Sequence, residues 1–125
     1  IINQTELQHE LRDRKSSVEN LMEKLSSMLC TKTLVVTRGY NGAKLFNLEK
    51  NTFYQCPAFA NKVVDKIGAG DAMLALISCS LKSGFGANLS LFIGSLAAAQ
   101  SVEAIGNSTP VSKVQLLKAF RHAIK

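Results

Sequence analysis

The sequence predicts an α/β chain, a layered sheet flanked by helices, and three observations carry that prediction. Thr33-Leu34-Val35-Val36-Thr37 is a short β-branched run, apolar at consecutive positions, as in a strand covered on both faces. Ala43–Leu48 and Thr52–Cys56 alternate in polarity around Glu49-Lys50-Asn51, the pattern of a hairpin. Segments of helical period precede these runs, and three more follow them. The order helix, strand, hairpin, helices suits a sheet with helices on its faces. At 125 residues and 46% hydrophobic content, the chain fits one domain with its own core.

Taken in order, residues 3–14 read as a short polar helix. Ser16-Ser17-Val18-Glu19 supplies a capping-box pattern for the next. Val18, Leu21, Met22, Leu25, Met28 and Leu29 then recur at helical spacing and are expected in the core. Arg38-Gly39-Tyr40-Asn41-Gly42 reads as a turn after the first strand, and Pro57 ends the hairpin pairing. Lys62-Val63-Val64 leads into a glycine turn. From Asp71 to Lys82 the chain is apolar nearly all round, which predicts a central helix closed by Ser83-Gly84. Asn88 is the expected cap of a helix from Leu89 to about Glu103, in which Gly94, Ser95 and Ala97–Ala99 permit close packing. Residues 105–110 read as a loop. Ser112 and Gln115 form a second capping box, with Val111 and Leu116 as its staple, before a last helix reaching about Ile124.

Fifteen basic and nine acidic residues give a net charge of +6, which favours anionic ligands. The basic residues are scattered and aromatics are few, so the pattern argues against nucleic acid as the main partner. Cys30, Cys56 and Cys79 are too widely spaced for a zinc pattern or a disulfide frame and fit a reducing cytoplasm, with Cys79 expected as a small core residue. No signal peptide or membrane-spanning run is apparent, so a cytoplasmic location is expected. The chain starts on Ile, in mid-pattern, and reads as a fragment of a longer protein. A cut through a larger sheet would leave an exposed edge and an apolar face, so self-association is expected.

Asp65-Lys66-Ile67-Gly68-Ala69-Gly70-Asp71, followed by Ala72–Ile77, is the most informative segment. Glycines let a backbone approach a ligand closely, and the start of a helix suits an anion. A carboxylate there can accept the proton of an incoming hydroxyl, as phosphoryl transfer to an alcohol requires. The same residues also suit a plain turn with an acidic first helical turn. Asn3-Gln4-Thr5-Glu6 sets an amide and a carboxylate three residues apart, able to hold a hydrated Mg²⁺ or simply to cap a helix. Thr37-Arg38-Gly39-Tyr40-Asn41-Gly42 is a strand followed by a glycine-bearing turn, placed where open sheets bind ligands or where a hairpin simply turns.

The N-x-x-E segment, the T-x-G-x-x-G turn, the D-x-x-G-A-G-D motif and the alanine-rich helix before a glycine loop stand in an order that resembles the ribokinase-like (PfkB) carbohydrate kinases. The likeness covers nearly the whole chain and corresponds to the carboxyl-terminal, nucleotide-side portion of a ribokinase-like domain. It implies ATP-dependent transfer of a phosphoryl group to a hydroxyl of a sugar or sugar derivative. Asp71 would be the catalytic base, and the N–H groups of Gly68, Ala69 and Gly70 the anion hole. Asn3 and Glu6 would help place Mg²⁺ and the ATP phosphates. Thr37, Gly39 and Gly42 would line the nucleotide pocket, and Ser95 stands where an Asn is common near the adenine. Asp65, with carbonyls near Ile67 and in residues 103–106, would form a monovalent-cation site for K⁺.

Lys66-Ile67 replaces the Thr-Thr pair usual in that family, and Lys66 is expected either to point to solvent or to meet a phosphate. Asn107 stands after Gly106 where small residues are common. The amino-terminal half, which binds most of the sugar in that family, is not in this chain, so the isolated piece is expected to be inactive. The stretch Asp65–Ile77 is also similar to kinase domains fused to nucleotidyltransferases in activated-sugar synthesis. A non-catalytic nucleotide-binding or regulatory domain of the same fold, and an interaction module with a purely structural glycine turn, are the competing readings.

Overall fold

Alternation along the strands decides how the layers form. The structure is a computed structural model and describes residues 1–105 and 108–125. Strands β1 (Ile2–Asn3), β2 (Thr33–Thr37), β3 (Ala43–Asn47) and β4 (Thr52–Cys56) make one sheet in the order β1-β2-β3-β4. β1 runs parallel to β2, and the other neighbours are antiparallel, with Val35 opposite Leu45 and Leu45 opposite Tyr54.

Leu34, Val36 and Phe46 face one side of the sheet, where Leu7 of α1 (Gln4–Glu10) and Leu21, Met22 and Leu25 of α2 (Val18–Leu29) cover them. Val35, Ala43, Leu45 and Cys56 face the other side, against Met73 and Ile77 of α3 (Ala69–Lys82) and Leu91 of α4 (Ala87–Val102). This is why β2 has no polar position in its middle: both faces are covered by helices. Full burial of a side chain such as Phe46 contributes about 1.5–3 kcal/mol, and Phe46 also stacks on Phe53 at 4.5 Å between ring centroids. Lys44 of β3 pairs with Glu19 of α2, tying helix to sheet. α5 (Lys113–Ala123) leans on α4 through the ring contact Phe92–Phe120 at 5.5 Å. No helix among the described residues is long and apolar enough to cross a membrane.

Several expectations need correction. The first segment is not one helix over 3–14: Ile2–Asn3 joins the sheet as a parallel strand, and α1 stops at Glu10. Two residues carry too little pattern to announce a strand. Ser17, not Ser16, caps α2 by accepting from the Asn20 N–H, because Ser16 is bound to Asp13 instead. Met28 and Leu29 are exposed and take no part in the cluster that covers the sheet, in which Leu25 is the last residue of α2. Gly86, not Asn88, is the cap residue of α4, which starts at Ala87. At α5 only half of the capping box forms: Ser112 accepts from the Gln115 N–H, while the Ser112 N–H donates to Gln100 of α4. α3 begins at Ala69 and buries only one stripe, Met73, Ile77 and Ser80. Its other side exposes Leu74, Ala75, Ser78 and Cys79, so Cys79 is not a core residue, because no described element covers that side. The expected loop positions Gly106 and Asn107 lie outside the described residues.

Candidate functional site

The parallel pairing of β1 with β2 sets Asn3 directly beside Thr37, at the carboxyl ends of both strands. Two motifs 34 residues apart in sequence therefore meet at the end of a sheet where open α/β folds bind ligands. Beyond Asn3 the chain enters α1 through a complete capping box. The Glu6 N–H donates to Asn3 Oδ1 at 2.9 Å, and the Asn3 N–H donates to Glu6 Oε2 at 3.0 Å. The cap orients both side chains and occupies one oxygen of each.

Beyond Thr37 the chain makes a 3-10 turn over Gly39–Asn41. The Arg38 N–H donates to the Gly42 carbonyl at 2.8 Å, and the Gly42 N–H to the Gly39 carbonyl at 3.0 Å. Gly42 is held at φ +76°, and a Cβ there would stand 2.0 Å from the Cys56 carbonyl oxygen, so only glycine fits. One terminal nitrogen of Arg38 donates to the Asn41 carbonyl at 2.9 Å, while its Nε is buried without a partner.

The third segment is tied to the end of α4. The Val64 and Asp65 N–H groups both donate to the Val102 carbonyl, at 2.8 and 3.1 Å. Asp65 Oδ1 accepts from the Ile67 N–H at 3.0 Å, which shapes the turn into α3. Gly68, at φ +81°, is the cap residue, and the Ala72 N–H to Gly68 carbonyl bond, 2.9 Å, starts the helical ladder. The N–H groups of Gly70 and Asp71 precede that ladder and have no place in it. Asp71, in the first turn, is exposed.

A single cavity of about 750 Å³ joins these segments. Asn3, Glu6, Thr37, Gly39, Gly42, Ala69, Gly70 and Ser95, all predicted site residues, line it. Asp65, Gly68 and Asp71 do not. Lys66 does line it, and is exposed to solvent, as one of the two expectations for it has it. With Arg38 and Lys66 against Glu6, the wall has an excess of positive charge that suits an anion. Arg38, although within the turn motif, is not among the predicted site residues, and neither is the apolar wall made by Phe59, Met73, Ala98 and Val102. Phe59 follows a strand-ending proline, and the other three read as core. Only the spacing of Ala98 from Ser95, on one face of α4, could have signalled part of it.

Ser95 is buried and its hydroxyl has no hydrogen-bond partner. It stands close to the Cys56 thiol but outside hydrogen-bond geometry; burial pushes that thiol above its ordinary value, and the nearby hydroxyl offsets only part of the rise. Together with Arg38 Nε, this hydroxyl is a second unsatisfied polar atom on the cavity wall, the kind of atom a bound polar molecule satisfies. Among the described residues no three His, Cys, Asp or Glu side chains gather as a metal cluster.

A family model of pfkB family carbohydrate kinases matches residues 1–114, the span that contains all of these segments. The chain belongs to the pfkB family of carbohydrate kinases. An uncharacterized sugar kinase of Buchnera aphidicola is 35% identical to this pfkB-family chain over 86 residues, 69% of the chain and 27% of that protein. The bifunctional protein HldE of Koribacter versatilis is 38% identical over 87 residues, 70% of the chain and 17% of that protein. The ribokinase of Arabidopsis thaliana, solved with ribose and ATP, superposes with a TM-score of 0.78 at 25% identity, over 96% of the chain and 40% of that structure. The fold is therefore ribokinase-like, and the chain spans well under half the length of the relatives it matches.

Proposed function

We propose that the protein to which this chain belongs transfers the terminal phosphoryl group of ATP to a hydroxyl of a sugar or sugar derivative. In this reading the chain is the carboxyl-terminal portion of one sugar-kinase domain. It supplies the nucleotide site, the anion hole and the base. The observation that carries the proposal is the convergence of Asn3–Glu6, Thr37–Gly42 and Ala69–Gly70 on one cationic cavity at the carboxyl ends of parallel strands. That the Arabidopsis relative was solved with ribose and ATP adds to it.

Residue by residue, Thr37, Gly39 and Gly42 would hold the nucleotide against the turn, with Ser95 contributing its unsatisfied hydroxyl. The glycines let the backbone approach, and Arg38 and Lys66 supply positive charge for the phosphates. The first-turn N–H groups of α3, with Gly68, Ala69 and Gly70, would face the charge that develops on the transferred group. Asp71, exposed in the first turn of α3 and outside the cavity wall, would take the acceptor hydroxyl's proton from the other side. Acceptor recognition then comes from outside this chain, and the chain alone is inactive. The residues suit Mg²⁺ held mostly through water: Glu6 keeps one carboxylate oxygen beyond the capping box to accept from metal-bound water, the Asn3 amide NH2 is left to donate to a phosphate oxygen, and no denser acidic cluster stands there among the described residues. When bound, Mg²⁺ would neutralise phosphate charge. Asp65 and the carbonyls near the end of α4, drawn together by the two bonds to Val102, would hold a K⁺-type ion. Gly106, expected to contribute there, lies outside the described residues. The bifunctional relatives leave room for a fused second domain, which we propose to be a nucleotidyltransferase.

The exclusion of Asp71 from the cavity wall favours, as a second reading, a domain that binds nucleotide without catalysis. Two measurements separate them. Mg²⁺-ATP at about 100 times its dissociation constant adds roughly 2.7 kcal/mol to a protein that binds it only when folded. Both readings expect this upward shift in a thermal melt, and a structural glycine turn expects none. In the full-length protein, Asp71→Asn abolishes sugar phosphorylation while leaving the ATP shift intact if Asp71 is the base. Full turnover in that variant removes the role.

A further inference from the structure

α5 has two apolar faces, and the fold uses only one. Leu116, Ala119 and Phe120 are partly buried toward α4, with the Phe92–Phe120 ring contact and the Ser112 N–H to Gln100 bond fixing the helix in place. Val114, Leu117 and Ile124 are 62%, 47% and 63% exposed. Their spacing, with Arg121 between, is three, four and three residues, the a and d positions of a heptad. Lys113 then falls at a g position and Lys118 at an e position, so one lysine flanks the exposed seam on each side; Ile124 caps the helix and Lys125 lies beyond it. No Asp or Glu follows Glu103 in the chain.

From this we infer that the outer face of α5 is a helix-pairing seam for an acidic amphipathic helix, with apolar a and d residues and Glu or Asp at its e and g positions. Charge decides the occupant. In helix pairs the e and g residues set partner choice, and lysines on both flanks repel a second copy of α5 while attracting carboxylates. The arginine at an a position places a cation in the seam itself, which asks for a carboxylate opposite it. α5 is already helical and anchored, so pairing does not have to order it, which would otherwise dominate for a helix this short.

The test uses the full chain and a synthetic three-heptad peptide with Leu at a and d and Glu at e and g, labelled for fluorescence anisotropy. Its partner control carries Lys at e and g. The chain is expected to bind the Glu peptide, to bind it more weakly at high salt, and to bind the Lys peptide at least about tenfold more weakly. Leu117→Glu and the pair Lys113→Glu with Lys118→Glu should each lower affinity for the Glu peptide by about tenfold or more, and the charge pair should raise affinity for the Lys peptide. These side chains are exposed, so the thermal midpoints of the variants should stay near that of the parent. Equal binding of the two peptides overturns the inference. So does binding that Leu117→Glu leaves unchanged. Binding to phosphatidylserine vesicles without binding to the Glu peptide overturns it in favour of a lipid surface, and a dimer abolished by Leu117→Glu overturns it in favour of self-pairing.

Discussion

Gly39 and Gly42 sit three residues apart in the same cavity-lining turn, yet replacing each with alanine should have very different consequences. At Gly39, φ is +57° and a Cβ meets nothing within 4 Å. Alanine there carries only the left-handed backbone penalty, about 1–2 kcal/mol. At Gly42, φ is +76° and a Cβ would lie 2.0 Å from the Cys56 carbonyl oxygen and 2.8 Å from two backbone atoms of Pro57. Ordinary carbon–oxygen contacts are about 3.3 Å or longer. Neither obstacle is a flexible side chain, so β4 must move away, which opens the terminal pair Ala43–Cys56 of the hairpin. Adding about 1–3 kcal/mol for that displacement to the same backbone penalty gives roughly 2–5 kcal/mol for Gly42→Ala. At about 4 °C per kcal/mol, the midpoint should fall about 4–8 °C for Gly39→Ala and about 8–20 °C for Gly42→Ala, the displacement alone separating them by about 4–12 °C. Differential scanning calorimetry on the two variants and the parent measures this directly. Midpoints for the two variants within about 2 °C of each other would refute the steric argument, because the backbone term alone cannot separate them.

A Cβ on Gly94 would come 2.5 Å from Ile77 Cγ1, where α3 crosses α4, so Gly94→Ala should cost about 1–3 kcal/mol. Ile77→Ala removes the clashing atoms, and a double-mutant cycle by urea unfolding should show the two changes costing less together than summed. Asn3→Ala breaks the capping box at the mouth of the cavity and should lower stability by about 1 kcal/mol, with Asn3→Asp nearly neutral, in the same assay. In the folded protein, iodoacetamide at neutral pH should modify Cys30 and Cys79 and spare Cys56, read by mass spectrometry. Burial holds the Cys56 thiol above its ordinary 9.0, so the unfolded chain loses that proton first. Its contribution is complete below pH 9.0 and is lost as pH rises through the higher folded value. The stability difference between the parent and Cys56→Ala should therefore shrink above that point, and a flat difference would contradict the burial.

Much of the candidate site was legible because its signals are local. The glycine turns, the Asn3–Glu6 spacing and the opening of α3 are each fixed within a few residues, and the positions named from them line one cavity except for Asp65, Gly68 and Asp71. The rest depends on neighbours. Arg38 is not legible as a site residue in the sequence, because its buried Nε exists only once the turn folds against the sheet. Met28, Leu29 and Cys79 were placed in the core from period alone, and period says which residues share a face but not whether anything covers it. β1 escaped notice because two residues have no period at all, although their pairing is what joins Asn3 to Thr37.

By itself, then, the sequence determined the α/β class, the hairpin, the helix order and the chemistry present in three short motifs. Backbone preference, side-chain period and turn residues are properties of neighbouring positions along the chain. Tertiary structure decided which motifs meet, that Asp71 stands outside the wall they build, and which apolar faces of α3 and α5 remain open. Those outcomes depend on pairing register and on what packs against each face, and both are set by residues far apart in the chain.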